Sequence, residues 1–399
     1  MWRVPGRNQK WEEVALFKVI RSIKEPASGA CRRPTETTAS SASSRLAGPL
    51  AVILLLMISI GCSSENLPES SAMMVPPGAE LQKCGLIMRL GNRDTWDAGM
   101  IESPAVWQDP STGRYGMVYT GYDLQNDDIR GYASVGLPRI GLAWSDDLRQ
   151  WEKDPRNPIF EPSGATGDKG TTGPLIWLEN GTYFLFYIGT SEEGYEAGRK
   201  TLNLATSTDL TSWKRYENNP IIGPEGEGWR ADDIWHASIV KVDAIYYMFF
   251  NASGVVDDNH EEFTGYATSN DLMNWAVDDD NSPLIVGSRE AGGWDSTGRT
   301  GDPSVYRVGD NWYMAYYSWD GSNAQDGLAI TTAAEFPLGW KPYDGNPILP
   351  IGAAGSIDAT HAHKPFIYRT DDTHYHFYTA VDELETRQIA LAISPGPCR

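Results

Sequence analysis

Two carboxylates stand just before prolines in otherwise dissimilar strings: Glu102 in Glu102-Ser103-Pro104 and Asp302 in Asp302-Pro303. A pair of carboxyl groups facing one ligand is the equipment for glycoside hydrolysis, one protonating the leaving oxygen and the other activating water. The assignment that follows is Glu102 as general acid and Asp302 as general base, with inversion expected at a carboxyl separation of roughly 6.5–9.5 Å. A second arrangement uses Asp97 as base, with Asp233 or His236 in place of the acid. The chain has 6 histidines, and three of them, His236, His361 and His363, fall in the same kind of position, the last directly before Lys364-Pro365. Their possible tasks are hydrogen bonds to sugar hydroxyls, a divalent ion such as calcium in a central channel, or an anion cradle formed with Lys364. His-x-His alone is a weak metal signal, so no metal ligand is assigned and no cofactor is required. Trp235 and Trp319 are candidate stacking surfaces for a sugar ring, and Asn251 and Asp320 candidate polar contacts.

What could bring residues so far apart in sequence together is a repeat. Gly141-Leu-Ala143-Trp-Ser145, Asn203-Leu-Ala205-Thr-Ser207, Gly265-Tyr-Ala267-Thr-Ser269, Gly327-Leu-Ala329-Ile-Thr331 and Ala390-Leu-Ala392-Ile-Ser394 place their central alanines 62, 62, 62 and 63 residues apart. A fixed period of this size marks a toroidal or solenoid array. Each copy starts at a Pro-small-aliphatic step (Pro104, Pro174, Pro303, Pro365, with Ala237 in the third). It continues through a turn into an aromatic-aliphatic strand, then the Leu-Ala-x-Ser strand, then a tryptophan (Trp151, Trp213, Trp275, Trp340) and an x-Pro-aliphatic segment. Four strands per copy and five copies predict an all-β, five-bladed β-propeller of antiparallel blades.

In such a ring the residues before each first strand, and those after each second strand, surround one mouth. Residues that recur in every copy serve the fold, and those that do not are candidates for chemistry. Asp97, Asp168, Asp295 and Asp358 recur, as do Asp147, Asp209 and Asp271, which favours turn-capping roles for them. Glu102, His236, Asp302, His361, His363 and Lys364 do not recur. The long connection from Leu124 to Pro138 is expected to narrow the mouth toward an exo-acting site.

The fifth copy ends after its third strand, so the segment Gly85–Leu90, just upstream of the first copy, is expected to supply the missing strand and close the ring. Cys84 and Cys398 flank those two strands, and a disulfide between them is expected.

The repeated Leu-Ala-x-Ser-x-Asp-Leu-x-x-Trp element, together with the Asp-Pro and Glu-x-Pro starts, resembles the family 43-like glycoside hydrolases, a superfamily that also holds families 32, 68, 117 and 130. The resemblance spans nearly all of residues 85 to 397. It implies a propeller glycosidase with a base in the first blade, a pKa-tuning aspartate in the second and an acid in the third. Here those places hold Glu-Ser-Pro, Gly-Pro and a histidine. Counting instead from the fourth copy puts Asp302 first and Glu102 third, with Lys364 between.

The ends suggest an exported protein. Residues 1 to 45 read as an N-terminal extension, and 46 to 62 as a lipoprotein-type signal or membrane anchor ending in Cys62, the expected lipidation site. Residues 63 to 80 read as a linker and 81 to 399 as the catalytic domain. The chain carries 33 Lys and Arg against 53 Asp and Glu, a formal net charge of −20. That charge argues against nucleic acid as a partner. No phosphate-binding glycine loop, CxxC pair or GxSxG elbow is present. The expected activity is exo-hydrolysis of plant or algal oligo- or polysaccharide in the cell envelope or outside it, by a monomer that meets the membrane only through its N-terminus. The competing readings are a family 130-type phosphorylase, with phosphate at His361, His363 and Lys364, and a noncatalytic carbohydrate-binding propeller.

Overall fold

The computed structural model describes residues 75–126 and 131–398. The lipoprotein-type segment and Cys62 therefore lie outside the described residues. Within them the regular structure is strand, apart from a single short 3-10 turn at Gly131–Ser134.

The strands fall into four-membered antiparallel units that follow the repeat. The first holds β2 (Met100–Gln108), β3 (Tyr115–Leu124), β4 (Val135–Ser145) and β5 (Glu152–Lys153); the second β6 (Gly170–Glu179), β7 (Thr182–Thr190), β8 (Lys200–Ser207) and β9 (Lys214–Arg215). The third holds β10 (Asp233–Val242), β11 (Ile245–Val256), β12 (Asn259–Ser269) and β13 (Ala276–Val277). In the fourth come β14 (Gly301–Val308), β15 (Asn311–Trp319), β16 (Ala324–Thr332) and β17 (Lys341–Pro342). The last has β18 (His361–Arg369), β19 (His374–Val381) and β20 (Arg387–Ser394), and β1 (Gln82–Met88) pairs antiparallel with β20. A short parallel pairing, Ala324 with His361 and Gln325 with Ala362, joins the fourth and fifth units into one sheet.

In the first four units the fourth strands are shorter than the sequence suggests, two residues each directly after the tryptophan, with single bridges such as Ile140 to Phe160 and Leu202 to Ile222 after the cis-proline step. The Leu-Ala-x-Ser strands are buried because both faces are covered: Leu142, Ala143, Leu204, Ala205, Ala267, Leu328, Ala329, Leu391 and Ala392 are all within 1% of full burial. The small alanine admits the aromatic neighbours of adjacent units. The first or second strand of one unit touches the first strand of the next through side chain to backbone hydrogen bonds. Thr120 Oγ1 accepts from Gly173 N, Ser238 Oγ from Val305 N, Ser304 Oγ from Ile367 N, and Thr379 Oγ1 from Ser103 N.

Cys84 and Cys398 form a disulfide across a sequence separation of 314 residues, tying β1 to the segment after β20. The recurring aspartates are fold elements. Asp97, Asp168 and Asp358 are buried and pair with a basic residue on the fourth strand of their own unit: Lys153, Arg215 and Lys83. Asp147, Asp209 and Asp271 accept backbone N–H bonds in equivalent turns.

Candidate active site

Every first strand carries a bulge at one level. Pairing with the second strand skips between Glu102 and Ala105, Thr172 and Leu175, Ile234 and Ala237, Gly301 and Ser304, and His363 and Phe366. In four units the residue before the proline sits at positive φ: Ser103 at 55°, Gly173 at 55°, Asp302 at 49° and Lys364 at 59°. Such backbone is costly for a non-glycine residue and is kept where the surroundings over-determine it. A bulge also re-aims side chains, and here it turns the non-repeating residues toward one place. Gly173 carries no side chain for a steric reason, since a Cβ there would stand 3.0 Å from the His236 ring and 2.5 Å from Ile188 Cδ1.

The residues so gathered line a cavity of about 230 Å³ whose wall includes Trp235, His236, Glu262, Asp302, Trp319 and Lys364. Asp302 is nearly sealed, and His236 Nδ1 lies 2.7 Å from its Oδ1. The other ring nitrogen of His236 is 2.8 Å from Ser103 Oγ, so the imidazole bridges two units. Burial works against the Asp302 charge, but His236, Lys364 and Arg299 outweigh it and hold its pKa below the ordinary value. Glu262 behaves oppositely. Burial raises its pKa, the charges of Asp302 and Glu196 add to that, and Arg299 opposes without prevailing. Its Oε2 accepts hydrogen bonds from Tyr317 Oη at 2.7 Å and from Asn251 Nδ2 at 2.8 Å.

The cations of the wall are all engaged. Lys364 Nζ is 3.0 Å from Glu196 Oε1 and 3.3 Å from Glu102 Oε2. Arg387 is 3.7 Å from Glu102 and donates to His363 Nε2 at 3.1 Å, while its guanidinium packs against the rings of Tyr132 and Tyr195. Arg299 pairs with Glu261 at 2.7 Å and Glu262 at 3.6 Å and lies over the Trp319 ring. Accepting from Arg387 fixes His363 as a neutral ring with its proton on Nδ1, and burial and that cation push its pKa well down. His361 Nδ1 accepts from Ala324 N at 3.0 Å, leaving Nε2–H as the free donor; burial, with Arg387, lowers its pKa to about 4.

Against the sequence expectations, His236, Asp302, His361, His363, Lys364, Trp235 and Trp319 do share one cavity. Glu102 does not line it. It is fully buried, with Oε1 bonded by the Tyr122 hydroxyl at 3.1 Å and Oε2 facing Lys364 and Arg387. A proton donor must reach the leaving oxygen, and this carboxyl is sealed behind its own cations. Asp97 is held by Lys153 and Thr95 away from the cavity, and Asp233 is occupied by Lys200 through both its backbone N–H, at 2.9 Å, and its Nζ, at 3.2 Å. Asn251 acts one step back, through Glu262. Asp320 caps a turn by accepting from Ser322 N and Asn323 N. An anion cradle of His361, His363 and Lys364 is undercut by the neutrality of both rings and the two carboxylates on the lysine. Among the described residues no group of three or more His, Cys, Asp or Glu is arranged to hold a metal ion.

Sequence reasoning missed Glu196, Glu262, Arg299, Tyr132, Tyr195 and Arg387. Except for Arg299, which lies just before β14, they lie on other strands or in connections rather than before a first strand. Glu262 had a legible signal: the third unit extends its β11–β12 hairpin to Val256 paired with Asn259, longer than its counterparts, and Glu262 sits on that extension.

Comparison with known proteins gives a consistent picture. Residues 171–330 match the family model for the glycosyl hydrolases family 32 N-terminal domain. Similar solved structures include a glycoside hydrolase, at TM-score 0.63 and 22% identity over 79% of this chain and 92% of that one. A thermostable family-43 glycoside hydrolase superposes at TM-score 0.53 and 17% identity, covering 75% and 92%. A beta-1,2-mannobiose phosphorylase from Listeria innocua does so at 0.55 and 15%, covering 78% and 90%. No curated protein matches the chain in sequence. The chain thus resembles the family 43-like glycoside hydrolases and shares their all-β fold of repeated four-stranded sheets.

Proposed function

We propose that this protein is an exo-acting glycoside hydrolase, a five-bladed propeller closed by β1, with Glu262 as the proton donor and Asp302 as the base. One observation carries the reading: two carboxyl groups on the wall of one cavity have pKa values displaced in opposite directions, Glu262 up and Asp302 down. Such a divergence assigns the acid and base roles of a hydrolytic pair. Glu262 donates to the glycosidic oxygen. Asp302, oriented by His236, takes a proton from the attacking water, which leads to inversion. The Nε2–H of His361 and the rings of Trp235 and Trp319 suit hydroxyl contacts and stacking, and the cavity's size suits one sugar residue. In this reading Glu102 anchors Lys364 and Arg387, and Lys364 in turn holds Glu196.

Hydrolysis is favoured over phosphorolysis because Lys364, Arg299 and Arg387 each already face a carboxylate, leaving no uncompensated cation among these three for phosphate. Export, with lipid attachment at Cys62, fits the disulfide and the acidic composition. The substrates proposed are neutral plant or algal oligosaccharides.

The test is a screen of aryl glycosides and plant and algal oligosaccharides with and without phosphate, run on the wild type, Glu262→Gln and Asp302→Asn. Release that ignores phosphate and disappears in both variants supports the proposal. Release that requires phosphate assigns a phosphorylase instead. Binding without release from any substrate assigns a carbohydrate-binding propeller. Proton NMR of the first anomer set free checks inversion.

A further inference from the structure

The repeat provides an internal control for residues outside the cavity, because each position has four counterparts in the same fold. At the outward position of the Leu-Ala-x-Ser strand the first unit has Trp144, where the others have Thr206, Thr268, Ile330 and Ile393. Trp144 pairs across to Glu152, whose counterparts are Lys214, Ala276, Lys341 and Gln82. Arg114, just before β3, corresponds by strand register to Thr182, Ile245, Asn311 and Thr373. So three residues that surround one spot depart together from what the fold asks for there.

They line a surface groove of about 360 Å³ with Asp146, Gln150 and Trp151, on the blade edge and separate from the residues of the catalytic cavity. The indole of Trp144 is fixed from within: its Nε1 donates to Asp154 Oδ2 at 3.0 Å, and Trp107 meets it nearly edge-on at 6.0 Å between centroids. Its polar edge is therefore spent inside the protein, which leaves a half-buried apolar surface in the groove wall. Arg114 lies 5.9 Å from the ring and donates to Asp146 at 2.8 Å. Both partners of that ion pair are exposed, so it adds little stability, and stability does not explain why only this unit carries it. Three carboxylates, Asp146, Asp147 and Glu152, against one guanidinium disfavour polyanionic chains.

We propose that this groove is a second binding site, for a segment of neutral polysaccharide stacked on Trp144 and hydrogen-bonded by Glu152, Gln150 and Arg114. It holds the polymer while the cavity acts on chain ends. The proposal rests on the carbohydrate reading of the cavity, but the site itself does not depend on catalysis.

The test is native affinity electrophoresis of the full chain in gels containing arabinan, xylan, mixed-linkage β-glucan or galactomannan, in a Glu262→Gln background so that the polymer stays intact. Trp144→Thr and Arg114→Thr install residues the fold already accepts in the second unit, and Trp144→Phe keeps an aromatic surface. Expected are retardation in at least one polymer, a tenfold or greater rise in Kd for Trp144→Thr, a smaller rise for Arg114→Thr, and partial retention for Trp144→Phe. Aryl-glycoside turnover of Trp144→Thr, made in the active protein, should equal wild type. No retardation in any of the four polymers, or equal retardation of Trp144→Thr, overturns the site even if glycosidase activity is found. So does a parallel loss of aryl-glycoside turnover in a Trp144→Thr protein that melts like wild type. Absence of aryl-glycoside turnover in wild type, with Trp144-dependent retardation intact, overturns the catalytic reading alone.

Discussion

Tyr317 of the fourth unit donates its phenolic hydrogen to Glu262 of the third at 2.7 Å, across the boundary between two repeats. The bond does more than join them. It fills one lone pair of Oε2, with Asn251 filling another, so the carboxyl is oriented by its distal oxygen. Burial and the neighbouring Asp302 and Glu196 charges then favour the protonated form.

If Glu262 is the proton donor, Glu262→Gln should lower turnover by about 10²–10⁴-fold. The loss should be smallest for substrates with strongly acidic leaving groups such as dinitrophenolate, which depart without protonation. Tyr317→Phe should give a milder loss. The measurement is kcat across a series of aryl glycosides of graded leaving-group pKa. A uniform loss across the series would assign Glu262 to substrate binding.

The same pair sets the pH profile. Asp302 must be ionised, and its lowered pKa places the acidic limb below the ordinary aspartate range. Glu262 must be protonated, and its raised pKa carries the alkaline limb above the ordinary glutamate range. The plot of kcat/KM against pH should be bell-shaped. Replacing Glu262 by Gln should remove the alkaline limb from the residual activity and leave the acidic one.

Much of this architecture could be read from the chain because it repeats. Five copies of the Leu-Ala-x-Ser strand gave the units their order, and Cys84 with Cys398 marked where β1 meets β20. The residues before the first-strand prolines did converge, since every first strand bulges at that level. What the pattern could not show was which of them face inward open to a ligand. Glu102 and Asp302 occupy similar places, yet one is walled off by Lys364 and Arg387 while the other borders the cavity. Glu196 comes from the connection between β7 and β8, and Glu262 from the extension of the β11–β12 hairpin; both segments differ in length between units, so no period exists to index them.

Lys364 lies between Glu196 and Glu102 in a buried cluster, and burial, which opposes its charge, is outweighed by these carboxylates and Asp302, so its pKa is raised. Lys364→Met would strip Glu102 of its nearest cation. Removing one partner of a buried pair typically costs about 3–5 kcal/mol. Urea unfolding should show a loss of that order, and the double variant Glu102→Gln/Lys364→Met should recover much of it. An additive double variant would mean that the two groups do not stabilise one another.

The disulfide closes a loop of most of the described chain. Loop entropy assigns such a link about 6 kcal/mol, with less in practice where the unlinked chain keeps structure. Cys84→Ser/Cys398→Ser should lower the melting temperature without changing KM, because β1 and the C-terminal residues lie outside the cavity wall. Reduction of the wild type with dithiothreitol should reproduce the shift, and a KM change would instead indicate that the fifth unit moves when released.

Acid stability offers a further check, through His374. The side chain is buried against Tyr306, and burial, with Arg369, lowers its pKa to about 3, against the ordinary value of 6.5. The folded state thus refuses a proton that the unfolded chain accepts, so the stability tied to this group is present above pH 6.5 and declines as the pH falls toward 3. At pH 5 the unfolded chain has gained about 2 kcal/mol from this one site. His374→Phe preserves a flat ring and removes the titration, and neither ring nitrogen of His374 has a hydrogen-bond partner to lose. The variant should therefore match or exceed wild-type stability at pH 7.5 and exceed it by more at pH 5, as read from urea unfolding at the two values. An unchanged difference between them would mean that the site is hydrated and titrates normally in the folded protein.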